Sequence, residues 1–86
     1  MPRISMFFGI VISMNWDDHW PPHFHVRDAD FKASISIDTL EMLRGRLPRR
    51  RLALVREWAE LHVDELLVNW ELARRKQPLN SIEPLT

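Results

Sequence analysis

The chain of 86 residues contains no cysteine, no tyrosine and only two glycines. The absence of cysteine excludes disulfide bonds, thiolate nucleophiles and cysteine-based zinc fingers, and it suits a reducing compartment. Lys and Arg number 12, as do Asp and Glu, so the net charge of zero excludes a uniformly basic surface. The hydrophobic content of 45% is typical of a folded protein, and we expect one domain over residues 1–86.

Long hydrophobic runs are also absent. The most apolar segment, residues 6–14, is far shorter than the roughly 20 residues of a membrane-spanning helix. No small-residue cleavage site follows it, so we expect no signal peptide, no membrane association and a cytoplasmic location. Its β-branched residues Ile10, Val11 and Ile12 favour a first strand instead.

Residues 1–38 have the pattern of a small antiparallel sheet. In residues 23–27 and 31–37 apolar and polar side chains alternate, which predicts two further strands with one apolar and one polar face. A loop with an even number of residues keeps the apolar face intact and sets Val26 opposite Phe31. That register places His25 beside Lys32 on the polar face. We therefore predict a sheet of about three strands.

Residues 48–76 show helical spacing of apolar side chains. A straight helix of this length would extend about 40 Å, which is more than a three-stranded sheet can cover. We therefore expect either one bent helix or two consecutive helices, with the bend or break near residues 62–64. The alternative is a partner chain that covers the part of the helix extending beyond the sheet. In the tail, residues 77–86, Ile82 and Leu85 are expected to dock as a short edge strand. The predicted fold class is α+β.

The strongest candidate site is the histidine-rich loop at residues 15–25, which holds three of the four histidines. His23 and His25 lie on one side of a strand, about 6.6 Å apart along it, so both imidazoles can reach one ion. His19 and a carboxylate from Asp17 or Asp18, with Asp18 preferred, would complete a nitrogen and oxygen ligand set. Such a set suits zinc, iron, manganese or nickel.

The same face also fits chemistry without a metal. One imidazole of His23 or His25 would act as a general base, while Arg27 and Lys32 hold a phosphate or an oxyanion. This makes His23, His25 and Arg27 candidate catalytic residues. A solvated sheet face that is merely rich in histidine is the third interpretation.

Zero net charge conceals a segregation of the cations. A basic start to a helix is unfavourable against the helix dipole, which prefers anions there. We therefore predict that Arg49, Arg50 and Arg51 bind an anionic ligand, RNA or DNA, or an acidic partner, unless they form an ordinary solvated helix face. Trp20 beside the histidines is a candidate to stack on a base. Nine of the 12 cations lie in two clusters: Arg44, Arg46, Arg49, Arg50, Arg51 and Arg56, then Arg74, Arg75 and Lys76.

Several segments together resemble one bacterial family, domain of unknown function 4160. These are the strand at residues 8–12, the run Asp-Asp-His-Trp-Pro-Pro-His-Phe-His at 17–25, Leu-Pro-Arg-Arg at 47–50, Glu-Trp-Ala-Glu-Leu-His at 57–62 and Asn-Trp-Glu-Leu-Ala at 69–73. The resemblance extends over essentially the whole chain. It departs from the family at Trp20, where asparagine is frequent, and at Asp28-Ala29, which replaces a more glycine-like turn.

The resemblance implies a partner protein. Members are often encoded beside a second small domain of unknown function, number 2442, in what looks like a two-gene toxin–antitoxin module. This chain would then be the toxin-like component, acting through its histidine and arginine face and binding the cognate small protein. The alternatives are a metal-binding domain or small metalloenzyme, and a non-catalytic nucleic-acid or protein interaction module.

Overall fold

The computed structural model describes residues 2–86 and has an α+β fold, in which five antiparallel strands precede two helices. The strands follow one another across the sheet in chain order, so every connection is a hairpin between neighbours. The elements are β1 (Arg3–Phe7), β2 (Ile10–Ser13), β3 (His23–Asp28), β4 (Phe31–Ser36), β5 (Met42–Gly45), α1 (Arg49–Leu61) and α2 (Val63–Arg74).

The prediction of about three strands was wrong, because two strands had no clear pattern in the sequence. The first apolar segment is a hairpin, β1 and β2, which turns at Phe8 and Gly9 with φ of 52° and 81°. Positive φ at both central residues is the geometry of a tight hairpin turn, but Phe8 is not a turn-forming residue. The edge strand β5 is largely exposed and therefore shows no apolar alternation.

The β3–β4 hairpin has the predicted even parity but a different register. Its loop contains only Ala29 and Asp30, so Val26 pairs with Ala33 and His25 pairs with Ser34, and neither predicted pairing forms. Ala29 adopts the left-handed conformation, with φ of 53°, that a two-residue turn requires. The apolar face stays intact because a shift of two residues preserves the side on which each residue lies.

Helix α1 packs on the apolar face of the sheet, and buried residues of both helices join its core. Trp58 of α1 is fully buried, and its ring centroid lies 5.4 Å from that of Phe7 and 5.9 Å from that of Phe24. The predicted alternative of two consecutive helices is confirmed: α1 ends at Leu61, His62 interrupts the helix, and α2 begins at Val63. Two helices therefore fit over a sheet that a straight helix would overshoot.

The C-terminal tail docks without forming a strand. Ile82 is buried, and its backbone N–H donates to the carbonyl oxygen of Ile4 at 2.8 Å. Residues 78–86 have no regular secondary structure, so the predicted docking is confirmed and the predicted edge strand is wrong. Among the described residues, neither helix is sufficiently long and apolar to cross a membrane.

Candidate metal centre and cationic groove

Three side chains from the histidine-rich loop and β3 converge on one point. Asp18 Oδ2 lies 2.8 Å from His25 Nε2 and 3.6 Å from His23 Nε2. The candidate ligand atoms of the three residues all lie within 4.8 Å of one another. The side chains are 13% (His23), 24% (His25) and 15% (Asp18) exposed, so the cluster is sheltered and still reachable from solvent.

Each histidine is oriented through its other ring nitrogen. His23 Nδ1 lies 2.7 Å from the carbonyl oxygen of Pro21, and because a carbonyl only accepts, Nδ1 carries a proton and donates it. His25 Nδ1 lies 3.2 Å from the Ser34 hydroxyl, which can donate or accept. Both Nε2 atoms therefore face Asp18. Metal-binding histidines typically donate their second ring N–H to such an outer partner.

The Asp18 carboxylate is held in an anionic state. Burial alone would raise its pKa, but the hydrogen bond and charge of His25, the backbone N–H of Asn15 and the charge of His23 together lower the pKa below the usual value. The Asn15 N–H donates to Oδ2 at 3.3 Å, and the Asn15 side-chain amide donates to Oδ1 at 3.4 Å. At neutral pH the Asp18 carboxylate is therefore ionised.

The spacing within the cluster fits a small transition-metal ion. Bonds of about 2.0–2.1 Å in a tetrahedral arrangement separate neighbouring ligand atoms by about 3.3 Å. The distances from Asp18 Oδ2 to the two Nε2 atoms, 2.8 and 3.6 Å, lie on either side of that value. Without a metal, the Asp18–His25 pair is a carboxylate holding an imidazole, an arrangement suited to general-base chemistry.

The other two candidates of the histidine-rich loop lie apart from this cluster. His19 is exposed and is not among the converging residues. Trp20 is 70% exposed, and the neighbouring Trp16 donates its indole N–H to the carbonyl oxygen of Gln77 at 3.1 Å. Residues 15–22, which precede β3, thus contribute Asp18 to the cluster and contact the end of α2 through Trp16.

The face of the sheet opposite the helices forms a groove that begins at His25. Its floor is a row of directly paired residues that crosses all five strands, Arg3–Ser13–His25–Ser34–Arg44. Small serines on β2 and β4 alternate with long side chains on the other strands. Because the serines are short, the surface of the sheet is recessed above them. The groove has a volume of about 560 Å³.

Four cations and no carboxylates line this groove. Arg27 and Lys32 are a directly opposed pair beside the row, while Arg3 and Arg44 stand at the two edges of the sheet. None of the four forms an ion pair with any residue from 2 to 86. The groove is therefore a site of concentrated positive charge within a neutral chain.

Comparison with known families decides where the chain belongs. The model of the family described as Domain of unknown function (DUF4160) matches residues 9–71, well over half of the chain. The chain belongs to the DUF4160 family. No curated protein and no solved structure matches it.

The match to DUF4160 spans both features of the site. Asp18, His23 and His25 lie within the matched residues, as do Arg27, Lys32 and Arg44 of the groove, whereas Arg3 precedes them. The resemblance seen in the sequence is therefore confirmed at the level of the family.

The predicted arginine triplet of this DUF4160 chain divides into two kinds of side chain. Arg49 and Arg50 are exposed at the start of α1. Arg51 instead bonds the Asp28 carboxylate at 2.7 and 3.1 Å and donates to the carbonyl oxygen of Phe8. The hydrogen bond to Asp28 raises the pKa of Arg51. Arg51 therefore ties α1 to two hairpin turns and is engaged within the fold.

Sequence reasoning missed several members of the site. Arg44 belongs to the groove only because β5 exists, and β5 had no alternating pattern. Arg3 reaches it through pairing with Ser13, which depends on the unpredicted β1–β2 hairpin. The predicted alternation of residues 31–37 puts Ser34 on the polar face, but the predicted register paired His25 with Lys32 instead. The alternation of serine with long polar residues runs across the paired strands, so no local sequence signal revealed the groove.

Proposed function

We propose that this protein is a transition-metal-binding domain whose ion is held by Asp18, His23 and His25. The observation that carries the proposal is the convergence of two Nε2 atoms on one carboxylate oxygen at 2.8 and 3.6 Å. The hydrogen bonds at both Nδ1 atoms support it, because they orient the two rings toward that oxygen.

The donor set favours a borderline metal with open coordination positions. Two imidazoles and one carboxylate are the protein ligands of catalytic zinc sites and of non-haem iron sites, in which water or substrate occupies the remaining positions. Zinc, iron, manganese and nickel are therefore the ions to test. Movement of the loop that carries the exposed His19 would allow this residue to add a fourth ligand.

The test is metal binding by the purified protein after chelation. We expect isothermal titration with Zn²⁺ to show one equivalent bound. His23→Ala, His25→Ala and Asp18→Asn should each weaken binding by at least about tenfold, because each removes one of three ligands. His62→Asn is the matched control, since His62 lies at the helix junction and makes its hydrogen bond to Glu65.

Two results would overturn the proposal. One is binding of less than about a tenth of an equivalent of every tested ion by folded protein. The other is equal loss of binding in His62→Asn and in the three site variants, which would point to adventitious binding by histidine. His19→Ala separately decides whether His19 contributes: weaker binding assigns it a ligand role, and unchanged binding leaves the three-residue site.

The toxin-like role that the family resemblance implies stays a prediction. It requires a cognate small protein, and its test is expression of the chain with and without the neighbouring gene. Growth inhibition that the neighbour relieves, together with a stable complex, would support this role. The absence of both would remove it.

A further inference from the structure

The groove on the open face of the sheet is the strongest unassigned feature of the molecule. Its cations come from four of the five strands, and successive strands lie about 4.8 Å apart. Arg3 and Arg44 therefore stand roughly 19 Å apart across the sheet, with Arg27 and Lys32 between them. Charges spread across the sheet in this way match an extended ligand that carries several anionic groups.

The pairing of Arg27 with Lys32 is a second and independent observation. The two cations are directly opposite each other on β3 and β4, a position in which like charges repel and destabilise the sheet. Lys32 has no carboxylate partner among residues 2–86. An anion bound between the two side chains would remove the repulsion.

We propose that this groove binds a single strand of nucleic acid through its phosphates. Arg and Lys are the side chains that contact phosphate oxygens, and a positively charged groove that follows the backbone is the usual site for single strands. A duplex carries its phosphates on a convex surface that a groove of about 560 Å³ cannot enclose. The serines of the floor leave room for the strand.

The geometry favours nucleic acid over an acidic protein segment. Carboxylates on an extended peptide alternate between its two sides, so only every second one can face the floor of the groove. A nucleic acid strand carries one phosphate per nucleotide, so each of the four cations can contact a phosphate. An acidic peptide is therefore the competitor against which the proposal is tested.

Binding by the groove does not require the metal site, although His25 borders both. The four cations are not among the proposed metal ligands, so metal-free protein should bind the nucleic acid strand. Failure of metal binding and failure of strand binding are thus separate results, measured on different variants.

The experiment is fluorescence anisotropy of a labelled single-stranded RNA of about ten nucleotides with chelated protein over a series of salt concentrations. If four phosphates are neutralised, the plot of log affinity against log salt should have a slope of about −2.8. A roughly fourfold rise in salt would then lower affinity about fifty-fold. Lys32→Gln and Arg44→Gln should each weaken binding and reduce the slope by about 0.7.

Arg75→Gln is the matched control, because it removes one exposed cation outside the groove. It should leave affinity and slope unchanged, and single-stranded DNA of the same sequence should bind comparably. Three outcomes would overturn the proposal: equal losses in Arg75→Gln and Lys32→Gln, tighter binding of the duplex, or competition by an acidic peptide as effective as unlabelled RNA. Circular dichroism of each variant confirms that it is folded.

Discussion

At the residue scale, orientation distinguishes His23 and His25 from their neighbour His19. His23 donates to a backbone carbonyl and His25 contacts a serine hydroxyl, so both rings are turned toward Asp18. His19 has the same side-chain chemistry but is exposed in the loop. Residue type and spacing alone indicate which side chains can bind a metal. The hydrogen-bond partner of the second ring nitrogen indicates which imidazoles are already oriented for metal binding.

Gly45 is the residue whose replacement should damage the sheet most directly. Its φ is +76°, and a Cβ there would lie 2.0 Å from the carbonyl oxygen of Lys32. That oxygen accepts from the backbone N–H of Arg46 at 3.0 Å, so it cannot withdraw without loss of the bond. Gly45→Ala should therefore lower the free energy of unfolding by more than the roughly 1–2 kcal/mol that the left-handed conformation alone costs.

Gly9 provides the matched comparison for Gly45. Its φ is +81°, but a Cβ there would meet only the guanidinium of Arg51, at 3.7 Å. Gly9→Ala should therefore cost only the conformational part, about 1–2 kcal/mol. Urea denaturation of both variants measures the difference. Equal losses would show that β5 yields to the added Cβ and that contact with Lys32 does not matter.

At the scale of elements, the opposed cations of β3 and β4 should cost stability. Lys32→Gln removes the repulsion from Arg27 and should raise the free energy of unfolding by up to about 0.5 kcal/mol. Lys32→Arg retains the charge and should give no such gain. Urea, which is uncharged, is the denaturant to use, and the gain should shrink as salt screens the pair.

This prediction also separates stability from binding. A variant that folds more stably and binds RNA more weakly cannot owe its loss of binding to misfolding. If Lys32→Gln and Lys32→Arg were equally stable at low salt, the repulsion between the strands would be negligible. Relief of repulsion would then no longer favour an anion between these two cations.

The elements with strong periodicity were predictable from the sequence, and those without it were not. Alternation located β3 and β4, and the helical stripe located α1 and α2 with their junction at His62. The β1–β2 turn was missed because Phe8 and Gly9 interrupt an apolar run without any typical turn sequence. The β3–β4 register was missed by two residues because alternation determines only the side on which each residue lies.

Local sequence patterns do not determine how strands pair, and this also explains which parts of the candidate site could be predicted. Two histidines on alternate strand positions and a nearby aspartate predicted three residues that converge, Asp18, His23 and His25, whereas the same prediction included His19, which is not among them. The groove depends on side chains from four strands, two of which the pattern did not reveal. A site within one hairpin and its loop can therefore be read from local sequence, whereas a site built across a sheet requires the topology.

At the scale of the whole molecule, the C-terminal tail bonds to elements of both the helical layer and the sheet. The side chain of Asn69 on α2 is fully buried and bonds both the N–H and the carbonyl of Asn80, at 2.8 and 2.9 Å. Trp58 on α1 donates its indole N–H to the carbonyl of Glu83 at 2.8 Å. Ile82 bonds β1 through its backbone. The tail thus connects both helices to the first edge of the sheet.

Truncation of Ile82 should therefore weaken the whole fold. Its side chain is 3% exposed, and Ile82→Ala should lower the free energy of unfolding by about 2–4 kcal/mol through lost burial and the cavity that remains. Ser81→Ala, at an exposed neighbouring position, should change it by less than about 0.5 kcal/mol. The loss should appear in one cooperative transition, followed by tryptophan fluorescence and by circular dichroism, because Trp58 and both helices share the core that Ile82 closes. A tail that melts in a separate, earlier transition while the helices persist would contradict this prediction.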